Sequence, residues 1–180
     1  KTILPPTVLL VALTFWSCAS HPPIRTVNAL DLERFMGDWY VIANIPTIFE
    51  KDAYNAIETY RLAEDGTVET TFRFNKGAFD GPLKTYRSRA YVLDETSNAY
   101  WGMQFVWPFK AEYRVVYLEP DYAVTMIGRS KRDYVWIMAR APSVPDERYQ
   151  ELLGVLQSLG YDIGRVQKVP QQAGEDSGEG

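Results

Sequence analysis

One cysteine and one histidine are all that the 180 residues contain of either type. A lone Cys18 excludes an intramolecular disulfide. With His21 as the single imidazole, there is neither a Cys/His zinc set nor a His-centred acid–base pair. The chain also lacks a G-x-G-x-x-G turn, a P-loop and an H-E-x-x-H pattern, so dinucleotide, triphosphate and zinc-protease chemistry have no motif behind them. No metal and no cofactor are expected. Positive charge is scarce too: the net charge is −4 and the pI about 5.1. The densest basic run, Arg129-Ser130-Lys131-Arg132, reads as a solvated turn, so nucleic acid is not an expected partner.

What the chain has in excess is rings: 12 Tyr, 8 Phe and 5 Trp, or 14% of all residues. Rings fill cores, and they also line pockets for apolar ligands. The remaining composition, 46% hydrophobic and 23% charged, suits one soluble domain with a proper core.

The first residues, KTILPPTVLLVALTFWSCAS, place a positive Lys1 before an apolar stretch at 3–16 that is too short to cross a bilayer comfortably. Small residues follow, which predicts a secretory signal peptide over 1–17. Cys18 directly after it resembles the lipobox of bacterial lipoproteins, in which the Cys is acylated (palmitate-type chains); Phe15 stands where Leu is usual. The alternative is an ordinary signal peptide that contains a Cys. Acylation implies a membrane anchor, each buried CH₂ adding ~0.8 kcal/mol. Ala19 rather than Asp after the Cys implies the outer membrane, with the domain in the periplasm. Residues 18–27, with Pro22 and Pro23, are expected to be an extended tether.

From Trp39 onward, turn residues recur every eight to twelve positions. Strands are predicted at 38–46, 54–62, 67–75, 83–93, 100–107, 111–118, 122–129 and 133–140. They are consecutive, with short connections, so the expected fold is all-β: an eight-stranded antiparallel up-and-down barrel. Tyr149, Leu152, Leu153, Leu156 and Leu159 then recur at helical spacing, with Asp146 and Glu147 near the start and Gly160 as the stop. This predicts one C-terminal helix packed outside the barrel, followed by a final strand at 162–169. The barrel domain is thus expected over 28–169, and 170–180, QQAGEDSGEG after a proline, as a disordered acidic tail.

The motifs then resemble one family. Gly37-Asp38-Trp39 matches the G-x-W signature of lipocalins, after an expected helical turn at 29–35. Asp121-Tyr122 sits where the family carries a T-D-Y-like turn, without the Thr. Arg140 sits where a basic residue packs on the signature tryptophan. The stretch RDYVWIMARAP at 132–142, with GDWY, ETYRL and the Pro108-Phe109 pair, is similar to the bacterial outer-membrane lipocalins, lipoproteins related to apolipoprotein D. The resemblance covers 28–169. It implies a lipid carrier with fatty acids or lysophospholipids as ligands, working in cell-envelope lipid storage, transport or repair, and Gly37, Trp39 and Arg140 as structural residues.

If Trp39 faces the interior, strict alternation puts Val41, Ala43 and Ile45 there as well, leaving Tyr40, Ile42 and Asn44 outside. Alternation from Arg140 adds Met138, Trp136 and Tyr134. Trp101, Met103 and Phe105 form the apolar set of the fifth strand; Phe72, Phe74 and Tyr113 are further contributors. The expected ligand-binding set is therefore Trp136, Met138, Trp101, Met103, Phe105, Tyr113, Phe72 and Ile45. Arg87, Arg89, Lys84 and Lys110 offer cations, one of which near the mouth meets a carboxylate or phosphate. The competing reading is that these rings merely fill the barrel.

Two other functions stay open. An enzyme on an apolar substrate needs acid–base groups inside, and Glu58 is the single candidate; no catalytic residue is assigned and the chain is read as a non-enzyme. An envelope interaction module would use outward Tyr40, Ile42 and Tyr91, which also permit a homodimer. A transmembrane barrel is not expected, because Asn44, Arg87 and Arg89 interrupt any outward apolar band.

Overall fold

Turn residues and two-residue alternation cut the chain into strands that pair in sequence order. The structure, a computed structural model, describes residues 22–172. The expected signal segment, Cys18 and His21 lie outside the described residues, as does the tail from 173 onward. A one-turn helix α1 (Leu32–Phe35) precedes β1 (Gly37–Ile45), β2 (Ala53–Leu62), β3 (Val68–Lys76), β4 (Leu83–Val92), β5 (Tyr100–Val106), β6 (Phe109–Leu118), β7 (Val124–Gly128) and β8 (Val135–Ala139). Helix α2 (Asp146–Ser158) and a two-residue strand β9 (Gln167–Lys168) complete the order. Neighbours are antiparallel throughout, and pairing of β1 with both β8 and β2 closes the barrel. Closure removes the exposed edges that eight strands would otherwise carry.

Strict alternation fails at one place in β1, with large effect. Val41 opposes Met138, but Ala43 opposes Ile137, so one extra residue is inserted between them. Such a bulge reverses which side the following residues face. Trp39 and Val41 join the interior with Met138, whereas Ile42, Ala43 and Ile45 belong to a second, outer cluster with Val135, Ile137 and Ala139. The expected inward positions Ala43 and Ile45 are thus corrected: both sit under α2. Asn44, expected outside, is instead level with Trp136. Ile42 is buried in that outer layer, which removes it from any dimer face.

Helix α2 covers this outer layer with Tyr149, Leu152 and Leu156. Its end has a local cause. Gly160 takes φ +87°, and its N–H donates to the Gln157 carbonyl (3.0 Å) while the Tyr161 N–H donates to that of Leu156 (3.1 Å). These two bonds satisfy carbonyls that the helix terminus leaves free. The expected strand at 162–169 is cut to Gln167–Lys168 because the Asp162 carboxylate accepts from the Gly164 N–H (3.0 Å) and starts a 3₁₀ turn instead. The strands expected at 122–129 and 133–140 are trimmed by turns in which Tyr122 and Arg132 adopt φ of +63° and +54°.

Residues 170–172, expected within the disordered tail, are held in the seam where β1 and β2 part. Gln171 Nε2 donates to the carbonyls of Val41 (2.8 Å) and Ala56 (3.0 Å), and the Asn55 N–H donates to that of Pro170 (2.9 Å). Bulges in both strands leave those carbonyls without ladder partners, and the tail supplies donors.

The end where β1 begins is sealed. Phe35 and Trp39, both fully buried, lie 5.0 Å apart between ring centroids, and Phe35 packs on Tyr60 (5.5 Å) and Trp101 (5.6 Å). Trp39 Nε1 donates to the Phe35 carbonyl at 2.8 Å. Arg140 lies 3.8 Å over the Trp39 ring and donates to the carbonyls of Arg34 (2.9 Å), Phe35 (3.1 Å), Met36 (2.8 Å) and Asp38 (2.8 Å). Gly37 has φ +95°, a backbone conformation that strains any residue carrying a Cβ, so glycine is the residue that fits. Arg140→Ala is expected to cost about 2–3 kcal/mol, because it strips four carbonyls and one ring of their partner. Arg140→Lys should recover less than half of that loss, since a single ammonium cannot span the same fork. Urea midpoints of the three proteins check this.

Candidate functional site

Above the sealed floor the inner wall changes from packed to open. Trp101, Met138 and Met103 point inward, but with 0%, 1% and 2% of their surface free they are part of the floor's packing. Tyr113 stacks on Trp101 (5.6 Å, 10°) and Trp136 on Tyr113 (6.3 Å, 26°), so a column of rings climbs from floor to mouth. Opposite, Phe72, Phe74 and Tyr86 form a second column at 5.2 Å and 6.1 Å spacings. Phe72 and Tyr113 are buried, and free surface appears at the mouth end of each column, on half-buried Trp136 and on Tyr86 (39% exposed).

Phe105 does not line this wall. A bulge between Met103 and Val106 interrupts β5, and Phe105 stands at the mouth with 64% of its surface exposed. Ile45 lies in the outer layer already described. Tyr134 is in the β7–β8 turn, 6.4 Å from Trp136. Of the expected cations, Arg87 and Arg89 share the outer face with Thr71 and Glu69, and Lys110 lies 3.6 Å over Tyr91. Lys84 shares the inner face with Phe74, at the rim.

The β1–β2 loop leans over the mouth. Its Glu50 accepts from Trp136 Nε1 (3.2 Å) and from the Thr47 N–H (2.9 Å), and Phe49 reaches to 6.1 Å from Tyr86 on the far column. Between this loop and β9 lies a cleft of about 200 Å³ framed by Asn44, Glu50, Tyr54 and the final strand.

Polar groups are few and specific. Glu58 opposes both Trp39 and Phe72, which puts it on the inner face just above the floor. It is half-buried there. Burial, and then the nearby Glu50 carboxylate, push its pKa well above the usual carboxylate range. Burial raises Glu50 as well, against the two donors that it accepts from. Tyr60 and Tyr113 hydrogen-bond each other through their hydroxyls, and burial pushes both phenols far up. Thr70 Oγ1 is buried without a partner, and Ser88 Oγ donates to Met103 Sδ at 3.0 Å. Among the described residues no group of three His, Cys, Asp or Glu side chains is placed to hold a metal ion.

The sequence discloses the rings, Glu58 and, among four cations, Lys84, but not the places of Glu50, Asn44 and Tyr86. Alternation within β4 (Lys84, Tyr86, Ser88, Ala90 against Thr85, Arg87, Arg89, Tyr91) carries the signal for Lys84 and Tyr86, since one set holds the small and neutral residues nearer the floor. Glu50 is a loop residue and Asn44 follows a bulge, so no periodicity reports either.

Comparison with known proteins agrees with this geometry. A family model described as a lipocalin-like domain matches residues 30–171. Temperature-induced lipocalin-1 of Arabidopsis thaliana is 32% identical over 82% of this chain and 83% of its own. Outer membrane lipoprotein Blc of Escherichia coli (strain K12) is 32% identical over 86% and 89%. Apolipoprotein D of Bos taurus is 29% identical over 81% and 78%. Among solved structures, insecticyanin of the tobacco hornworm superposes with a TM-score of 0.63 at 17% identity, covering 82% of this chain and 84% of that one. A closed eight-stranded barrel with one helix outside, a G-x-W floor under Arg140 and a match across nearly the whole body lead to one conclusion: the chain belongs to the lipocalin family.

Proposed function

We propose that the protein binds and carries fatty acids or lysophospholipids in its barrel, as a membrane-anchored lipocalin of a bacterial cell envelope. The observation that carries the reading is the pair of inner ring columns above a closed floor, which end at the mouth in half-buried Trp136 and exposed Tyr86. An acyl chain laid between them loses ~0.8 kcal/mol of unfavourable hydration per CH₂, enough for micromolar binding after association costs. The names of relatives, an outer membrane lipoprotein and an apolipoprotein, support the envelope location and the ligand class. Anchoring would run through acylated Cys18, with the domain in the periplasm.

The reading is of a carrier and not of an enzyme. Among the described residues Glu58 is the inward acid nearest the floor, the neighbouring phenols bond to each other, and Glu50 is engaged by Trp136 and Thr47. Its neutral form suits a cavity for hydrocarbon.

Two outcomes are expected. Residues 22–172, stripped of lipid and titrated with palmitate and with lysophosphatidylethanolamine, should quench or shift tryptophan fluorescence saturably in the micromolar range or below. Trp136→Ala should weaken that binding by about tenfold, and a signal that never saturates for either ligand sinks the proposal. The second outcome concerns Glu58. Unfolded, it ionises near 4.5, and folded at a higher pH. Between those values the folded state holds an extra proton, so Glu58 lowers stability as pH rises through that window and has no further effect above it. Glu58→Gln should therefore be the more stable protein at pH 8 and match the parent near pH 4, which urea midpoints at the two pH values check.

A further inference from the structure

The exposed large apolar side chains are not scattered. Among the described residues all but Leu93 lie at the mouth. Ile48 (73% exposed) and Phe49 (66%) project from the β1–β2 loop, Leu83 (64%) begins β4, and Phe105 (64%), Trp107 (82%) and Phe109 (77%) surround the β5–β6 turn. Monomeric soluble proteins seldom leave so much contiguous apolar surface uncovered, and where they do it marks a docking site. The other end of the barrel, closed by α1, shows no such patch among the described residues.

Charge separates in the same direction. The four loops of the mouth, residues 46–52, 76–84, 105–110 and 129–134, carry seven Lys and Arg against four Asp and Glu, in a chain whose net charge is −4. Two of those acids, Asp52 and Asp133, are already paired with Lys76 and Arg129, and Glu50 is held inside by Trp136. Lys51 and Lys84 flank the apolar tips with no ion pair among the described residues. Apolar side chains ringed by cations match a bilayer that presents hydrocarbon beneath anionic headgroups.

The path of the chain gives a third, independent observation. Arg132 Nη1 donates to the Pro22 carbonyl at 2.6 Å, and the Ile24 N–H donates to Ser130 Oγ at 3.2 Å, so the first described residues sit against the β7–β8 loop at the mouth. From there the chain descends outside the barrel, where the Val27 N–H bonds the Val115 carbonyl (2.9 Å), to reach α1 at the closed end. Cys18 precedes Pro22 by four residues, a reach of at most about 14 Å. An anchor at that position would hold the mouth, and not the floor, against the lipid surface.

We propose that the mouth is a docking surface for an anionic phospholipid bilayer, with the β1–β2 loop, the start of β4 and the β5–β6 turn inserted at headgroup depth. A ligand would then pass between bilayer and barrel without crossing water. The docking needs neither Cys18 nor any particular ligand, so it can fail while acyl binding stands.

The test uses residues 22–172, which hold both apolar clusters of the described residues. The protein is floated with vesicles of phosphatidylglycerol and phosphatidylethanolamine, and separately with phosphatidylcholine vesicles, alongside the variant Trp107→Ser/Phe109→Ser. Acyl-chain binding in solution is measured on both proteins. The parent should float with the anionic vesicles, and with the phosphatidylcholine vesicles less well. Added salt should weaken the anionic binding, and the variant should lose it by about tenfold or more with acyl binding retained. Leu93→Ser, which removes the apolar residue at the other end, should float like the parent. Equal flotation of the parent and the mouth variant overturns the proposal. So does a dimer seen by sedimentation velocity that dissociates in the variant, for then a second copy covers the patch.

Discussion

The guanidinium of Arg140, laid 3.8 Å over Trp39 and shared among four carbonyls, is the contact on which the remaining structure depends. It ties the last carbonyls of α1, which no strand pairing holds, to the end of β8 and the start of β1, which pair with each other just above. Each benefits in a different way. The one-turn helix has too few internal bonds to persist alone; Arg140 donates to its orphan carbonyls and so makes it a plug. Trp39 gains a cation over its ring and packs against Phe35. The floor that results is solid, which makes the barrel a cup with one opening and gives the space above it a direction.

The second constraint is the bulge in β1. One inserted residue lets a single nine-residue strand serve two cores: Trp39 and Val41 pack inward, and Ile42, Ala43 and Ile45 pack outward beneath α2. Without it the outward side of β1 would offer α2 an Asn44, and the interior would take two aliphatics in place of a polar group beside Trp136. This also explains what the sequence could not disclose. Alternation predicts strand and turn correctly from Gly37 to Ile45 but assigns the wrong face after Val41, because a bulge leaves no mark in hydrophobic pattern when both faces are apolar. The same holds for Phe105, where a bulge in β5 ends the inward set at Met103.

Other features were legible for physical reasons that can be named. Rings in the middle of regular strands, such as Phe72 and Tyr113, keep the parity that the pattern assigns. Gly160 stops α2 because its left-handed φ, open to glycine at little cost, lets its own N–H and that of Tyr161 turn back to the helix carbonyls. The final strand was overestimated because Asp162 has an alternative local partner, and such side chain to backbone competition is invisible to a count of apolar residues. Glu50 was missed because it acts from a loop, where position is set by tertiary contact with Trp136 and by no period.

The acids inside the barrel argue that the cavity is not simply a filled core. A core optimised for stability would hold Leu or Gln at position 58, where neither cation nor hydrogen bond among the described residues compensates a carboxyl. The Glu50 carboxylate nearby raises the cost of ionising Glu58 further, so a charge at position 58 comes at the expense of stability. The pair lies one near the floor and one at the loop over the mouth, along the space that the ring columns leave free. Proton uptake relieves them, and so would any occupant that brings donors to Glu50 while leaving hydrocarbon against the neutral Glu58. On the proposed reading this orders a lysophospholipid or fatty acid tail-down, with its polar end at the mouth beside Lys84 and the cations of the rim. The solid floor, the columns and the position of the acids thus favour the same orientation, which is also the one in which a bilayer at the mouth could receive the headgroup.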